Sequence, residues 1–349
     1  MSSGKTIHFI AIDVHSSFCE GGWINQEGVE RGRFKVPTNI PALTAAIEKV
    51  PGRRRLVIEE GPLADWLCRH LRELVEEMVC CDPWRNALIA KGGEKSDPID
   101  WRKLAQLFRG GYITPVHHPE ELQRSLFKQQ VQLYHDRVRH RVSEALKLIW
   151  RVRRLGVFIK EKDLIDPERR SEMLKQLPID ARPDVEVMLD GYDQASEQVA
   201  ALRRTLCRAA RMNPMIKRLC ELPGIGVIRA ATFLAYIDTP FRFKAKKKLW
   251  KYMGIGLEKR QSGTGHVSLR VPRRCSRVLK SVILGAAKSA AAAGDNPFAD
   301  QYQRWLDDGC SRRIARRNLA RSLATVMWGM CKSDSKYDPA LVGRMLQAN

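Results

Sequence analysis

Residues Ile7–Val14 read IHFIAIDV, an apolar run that carries one carboxylate, Asp13, near its end. Such a run predicts a buried strand. Working outward, Phe18–Ile24 reads as a second strand and Gly28–Val36 as a third, after the turn Asn25-Gln26-Glu27-Gly28. A helix over Ile40–Val50 follows, introduced by Thr38 or Asn39 as cap with Pro41 near its first turn. Arg55–Glu59 is a fourth strand, Ala64–Leu74 an amphipathic helix and Met78–Cys81 a fifth strand. Beyond a Lys- and Gly-rich loop, Ala90–Lys95, Ser96 is placed to cap a helix over Asp97–Phe108.

Three meandering strands followed by helix, strand, helix, strand, helix is the order of an α/β RNase H-like sheet. A doubly wound nucleotide-binding fold would carry a glycine-rich loop after the first strand, where this chain reads AIDVHSS. The 349 residues suggest two or three domains: 1–115, 116–212 and 213–349. No apolar run approaches a bilayer span, the N-terminus lacks a signal-peptide core, and no membrane partner is expected. Nine scattered cysteines without a Cys-x-x-Cys pair argue against a disulfide framework or zinc finger and fit a reducing cytoplasm.

The charge of +22 is unevenly spread. Residues 1–115 hold 16 basic and 15 acidic side chains, residues 116–200 hold 15 of each, and residues 201–349 hold 30 against 9. A domain so biased repels itself unless it meets a polyanion, so nucleic acid is the expected partner. Between the first strands and this basic part, apolar residues recur in steps of three and four at Val131, Tyr134, Val138, Val142, Ala145, Ile149 and Val152. They recur again at Val185, Met188, Tyr192, Ala195, Val199, Leu202, Leu206 and Ala209. The pattern predicts an antiparallel helical hairpin or coiled coil, serving either as an oligomerisation arm or as a plain bundle.

Leu222-Pro223-Gly224-Ile225-Gly226 before a helix at Val227–Ile237 has the form of a helix-hairpin-helix turn, whose Gly224 and Gly226 let backbone N–H groups approach phosphate. The alternative is a tight turn with no ligand. Aromatic and cationic residues then interleave from Phe241 to Tyr252, a pattern able to hold phosphates and stack on bases. Lys246, Lys247, Lys248, Arg260, Arg273, Arg274 and Arg277 are the expected nucleic-acid contacts, ahead of helices at Arg274–Ala293, Phe298–Asp307 and Arg312–Met330.

Asp13 closes an apolar strand, Glu59 and Glu60 end its expected neighbour, and Asp97 and Asp100 lie three apart on one helix. A strand-end carboxylate is costly unless cations or donors meet it. Together these acids form an all-oxygen set that selects Mg²⁺ or Mn²⁺ and suits metal-assisted phosphoryl transfer. Ser262, in Gln261-Ser262-Gly263-Thr264-Gly265, reads from the residues alone as part of an ordinary flexible turn.

On Ala-Ile-Asp13-Val, Glu59-Glu60-Gly61, Ser96-Asp97-Pro-Ile-Asp100, Leu222-Pro-Gly-Ile-Gly226 and Gln261-Ser262-Gly263, taken in that order, the chain resembles the DEDD transposases of the IS-one-ten and IS-one-eleven-eleven insertion sequences. The resemblance implies a RuvC-like N-terminal domain holding Mg²⁺ or Mn²⁺ through Asp13, Glu59, Asp97 and Asp100. It implies Ser262 as nucleophile toward DNA, a bridge RNA guiding donor and target DNA, and a dimer or tetramer. Two positions depart from the family pattern. Trp101 stands where a small residue is usual, and Glu-Glu-Gly-Pro replaces Glu-x-Thr-Gly, leaving Glu59 or Glu60 as the ligand. Glu59 is taken as continuous with the apolar strand. The competing functions are a RuvC-like junction nuclease using water and a non-catalytic nucleic-acid-binding protein.

Overall fold

The computed structural model describes residues 6–84, 97–260 and 268–347. The chain forms two compact units, residues 1–125 and 126–349. In the first, β1 (Ile7–Val14), β2 (Phe18–Ile24), β3 (Glu30–Pro37), β4 (Arg53–Glu59) and β5 (Glu77–Cys81) form one sheet in the order β3-β2-β1-β4-β5. The hairpins β1–β2 and β2–β3 are antiparallel, whereas β1–β4 and β4–β5 are parallel. Helices α1 (Ile40–Glu48), α2 (Ala64–Leu71) and α3 (Asp97–Arg109) follow the order the sequence predicts. Element ends shift by a few residues: β3 starts at Glu30, after the Gly28 turn at φ +85°, and Asn39 rather than Thr38 caps α1 by accepting from the Ala42 N–H.

The sheet separates two cores. Ile10, Ile12, Leu56, Ile58 and Cys80 pack with Leu43, Ile47, Leu67 and Leu71 of α1 and α2. Phe9, Ala11, Val57 and Cys81 pack with Trp101, Leu104, Ala105 and Phe108 of α3. This is the strict alternation of a strand buried on both sides. Phe9 meets Phe108 edge-on, and Gln106 Nε2 donates to Gly28 O at 2.8 Å, fixing the far end of α3 over the start of β1.

Trp101 is accommodated by a missing side chain. A Cβ on Gly22 would collide with the Trp101 ring, so the indole lies directly on the β2 backbone. The large residue that departs from the family pattern is therefore a packing element, only 2% exposed.

In the second unit most of α4 (Leu122–Arg154), which starts four residues before the boundary, shares with α5 (Pro167–Gln176) and α6 (Arg182–Arg211) a core of Ala145, Leu148, Ile149, Val152, Met173, Val185, Leu189 and Tyr192. The Arg170 guanidinium binds both oxygens of Asp193 at 2.7 and 2.6 Å. The apolar face of α6 is the expected one, with Val185, Tyr192, Ala195, Val199 and Leu206 buried; only near the two ends do Leu189 and Ala210 take the places expected of Met188 and Ala209, and Ala209 is exposed. Over thirty residues a 3.6-residue helix drifts from any fixed alternation of threes and fours.

A larger core joins Val131, Leu206 and Ala210 to α7 (Pro214–Leu219), α8 (Val227–Ile237), α9 (Lys246–Tyr252), α10 (Arg277–Ala292), α11 (Pro297–Asp307), α12 (Arg312–Ser333) and α13 (Pro339–Gln347). The last helix has no counterpart in the sequence reading. Nor does α10 begin at Arg274: Ser276 caps it by accepting from the Leu279 N–H, which leaves Arg273 and Arg274 in the preceding loop. Short strands β6 (Glu258–Arg260) and β7 (Ser268–Arg270) pair antiparallel. Among the described residues no helix is long and apolar enough to cross a membrane.

Gly22→Ala should lower the unfolding free energy by about 1–3 kcal/mol, because Trp101 has to leave a fully packed position. Urea unfolding followed by tryptophan fluorescence measures this, and an unchanged midpoint would mean that α3 shifts freely over the sheet.

Candidate metal and nucleic-acid sites

The register sets the geometry. Ile12 pairs with Ile58 across the parallel β1–β4 ladder, so the next residues, Asp13 and Glu59, end adjacent strands together. Alternation puts them on the α3 side, in line with Ala11 and Val57. Asp13 is 30% exposed, and His15 Nε2 stands 3.1 Å from its Oδ2.

Helix α3 runs back along β1: Phe108 sits at Phe9, and Trp101 lies over Gly22, the partner of Ala11. The two residues from Ala11 to Asp13 rise about 6.6 Å along a strand, and the four from Trp101 to Asp97 about 6 Å along a helix. The first turn of α3, with Asp97 and Asp100 in its backbone, therefore reaches the level of Asp13. The donor set is oxygen only, the chemistry that Mg²⁺ or Mn²⁺ prefers.

Glu60 lies on the other side. Its Oε2 is 2.6 Å from His118 Nε2 and 3.1 Å from the Cys80 Sγ that donates to it. Cys80 belongs to the core opposite α3. Burial would push the His118 imidazole down, but the Glu60 hydrogen bond and charge, with the charges of Cys68 and Asp65, raise it overall. Burial likewise opposes ionisation of Asp65, yet hydrogen bonds from Ser125 and Arg69 hold it below the usual carboxylate range. The Cys80 thiol is driven far up by the hydrogen bond it shares with Cys68, by burial and by Glu60. This cluster escaped the sequence reading because its members come from the end of β4, α2, β5 and a segment past α3, with no spacing to betray it.

In the second unit Gly224 takes φ +75°, and a Cβ there would stand 2.7 Å from the Ala290 backbone nitrogen. That glycine is required by helix packing. Arg229, its guanidinium lowered by burial, donates to Gly224 O at 2.5 Å and to Ser289 Oγ at 3.0 Å. Gly226 caps α8 without any side-chain hydrogen bond and has open space around its Cα.

Lys246, Lys247 and Lys248 are all exposed on α9, and Arg273 and Arg274 before α10 and Arg277 at its start are exposed as well. The neighbouring aromatics behave otherwise. Phe243 is buried, Trp250 Nε1 donates to Thr325 Oγ1 at 3.1 Å, and Tyr252 Oη donates to Tyr236 O at 3.1 Å. Only Phe241, 71% exposed, remains outward among these four, so cations rather than rings make this face. Arg260 ends β6, and Ser262, expected as nucleophile, lies outside the described residues, between the paired strands β6 and β7.

Residues 216–303 match the model of the transposase IS116/IS110/IS902 family. The Sinorhizobium fredii protein y4qE is 25% identical over 243 residues, 67% of this chain and 57% of its own. The 44.8 kDa protein of insertion element IS116 from Streptomyces clavuligerus is 22% identical over 203 residues, 54% of this chain and 50% of its own. The transposase for insertion sequence element IS1111A from Coxiella burnetii is 22% identical over 144 residues, 40% of this chain and 39% of its own. The aligned parts thus span 39% to 57% of these relatives. By family model and by the names of its relatives, the chain is similar to insertion-sequence transposases.

Replacing Lys246, Lys247 and Lys248 together by alanine should weaken binding to random-sequence duplex DNA. It should also make the slope of log K against log salt shallower by about 2–3, as fewer counterions are released. Fluorescence anisotropy at several salt concentrations checks this. An unchanged slope would take these lysines off the phosphate path.

Proposed function

We propose that the chain is a transposase of an insertion sequence that cuts and rejoins DNA by metal-assisted attack of Ser262 on a phosphodiester, guided by a bridge RNA. The observation that carries the reading is the β1–β4 register, which brings Asp13 and Glu59 together beneath the start of α3. The strand order β3-β2-β1-β4-β5, with antiparallel pairing confined to β1–β2 and β2–β3, supports an RNase H-like, RuvC-like sheet. The family match over residues 216–303 supports the same class from the other half of the chain.

In this reading Asp13, Glu59, Asp97 and Asp100 hold Mg²⁺ or Mn²⁺, which when bound supplies Lewis-acid stabilisation of charge on the phosphate oxygens. Glu59 rather than Glu60 takes part, since Glu60 is engaged with His118 and Cys80 on the opposite side. Ser262 Oγ forms a bond to phosphorus as the bond to the departing deoxyribose oxygen breaks. The serine proton is lost and the leaving oxygen gains one. The phosphoserine link keeps the bond energy for rejoining, which a water-attacking nuclease would discard. Lys246, Lys247, Lys248, Arg260, Arg273, Arg274 and Arg277 hold backbones without reading sequence, leaving specificity to the guide RNA. The long helices α4 and α6 offer arms through which a dimer or tetramer could form.

The test is recombination in cells carrying the chain together with its flanking element DNA on a donor plasmid. Rejoined junctions should fall to background in Asp13→Asn and Glu59→Gln, while Glu60→Gln keeps them. Ser262→Ala should lose both the junctions and any covalent protein–DNA adduct, at a stability cost under about 1 kcal/mol. Cutting by Ser262→Ala, with no adduct from the wild type, would make the water-based nuclease the correct reading.

A further inference from the structure

Three ligand-type side chains from separate elements meet on the sheet face opposite Asp13 and Glu59. A carboxylate oxygen of Glu60, the Cys80 Sγ and a ring nitrogen of His118 all lie within 4.8 Å of one another, and Glu60 Oε2 is in hydrogen-bond contact with both Cys80 Sγ and His118 Nε2. The Cys80 side chain and the His118 ring are almost fully buried, at 3% and 8% exposure, whereas the Glu60 carboxylate is 40% exposed. Two donors are thus preset inside the protein, and the third stands at the solvent side, where an ion could enter.

The surroundings of the imidazole add a second observation. Asp65 Oδ1, buried and without a hydrogen-bond partner, faces His118 Nδ1 at 3.6 Å. Its other oxygen is held by Ser125 Oγ at 2.5 Å and by Arg69. A carboxylate behind Nδ1 keeps the proton there and leaves Nε2 to a ligand, the arrangement that orients metal-bound histidines. Cys68, in hydrogen-bond contact with Cys80, places a second sulfur beside the cluster.

We propose that Glu60, Cys80 and His118 bind a borderline-soft divalent ion of the Zn²⁺ class, with solvent in the fourth position. A thiolate, an imidazole and one carboxylate match zinc rather than magnesium. Zn–S and Zn–N bonds of about 2.3 and 2.0 Å place tetrahedral ligands roughly 3.3–3.7 Å apart. Glu60 therefore has to withdraw from His118 by about 1 Å, a movement open to its exposed side chain while the two buried donors stay. Binding expels the Cys80 thiol proton to solvent and leaves the imidazole neutral. The ion links the ends of β4 and β5 to the segment after α3, one residue from Glu59. The site requires nothing of the transposase reading and is separate from the hard-ion carboxylates.

Cobalt(II) titration of the EDTA-treated, dialysed full-length chain tests the proposal. One equivalent should produce a thiolate-to-cobalt charge-transfer band with tetrahedral visible bands, and Zn²⁺ but not Mg²⁺ should bleach them. Cys80→Ser should abolish the charge-transfer band. Asp65→Asn should keep the band but weaken affinity by about 10–100-fold. Far-UV circular dichroism establishes folding. If the buried variants do not fold, Glu60→Gln, at the exposed ligand, should still shift the visible bands and lower affinity. Absence of the band in folded wild type, its persistence in folded Cys80→Ser, or a Glu60→Gln variant with wild-type spectrum and affinity would overturn the site.

Discussion

Parallel pairing of β1 with β4, with Ile12 opposite Ile58, puts two strand ends in register, and most of what can be said of the first unit follows from that pairing. Asp13 and Glu59 stand together because they follow the paired isoleucines. Glu60, one residue further, turns to the other side, where it meets His118 and Cys80. Two adjacent glutamates thus acquire different environments, one beneath the start of α3 and one in a mixed sulfur, nitrogen and oxygen cluster. A slip of one residue in this ladder would exchange them.

Packing of α3 depends on the same sheet from its other face. Gly22 leaves room for the Trp101 indole, and Phe108 against Phe9 sets the direction of the helix, so the turn containing Asp97 and Asp100 is brought to the strand ends by apolar contacts. In the second unit, too, packing and presentation divide between neighbours. Gly224 is spent on close approach to α10, while Gly226 leaves the start of α8 open. Around α9 the aromatic rings turn inward and the lysines outward.

Much of this was legible from alternation and helical period. The five strands, the three helices of the first unit and the long helices of the second all follow from side-chain patterning. Small phase errors remained, such as Ala209 for Ala210, because three-and-four spacing approximates a 3.6-residue helix. The interleaved aromatics of residues 241–252 misled in part, since composition cannot say which ring faces a core formed by α12, far along the chain. The choice between Glu59 and Glu60 was open in the sequence, and the placement of Cys80 and His118 supplies a physical reason for Glu59. The His118 cluster itself was illegible, because burial and distant pairing, not spacing, create it.

The central claim is that the carboxylates under α3, and not Glu60, hold the hard divalent ion. Anomalous diffraction at the manganese edge, from crystals of the full chain soaked in Mn²⁺, tests it without reference to activity. The account predicts a peak ligated by both Asp13 and Glu59. A peak ligated by Glu60 in place of Glu59, or none at these strand ends, would contradict it.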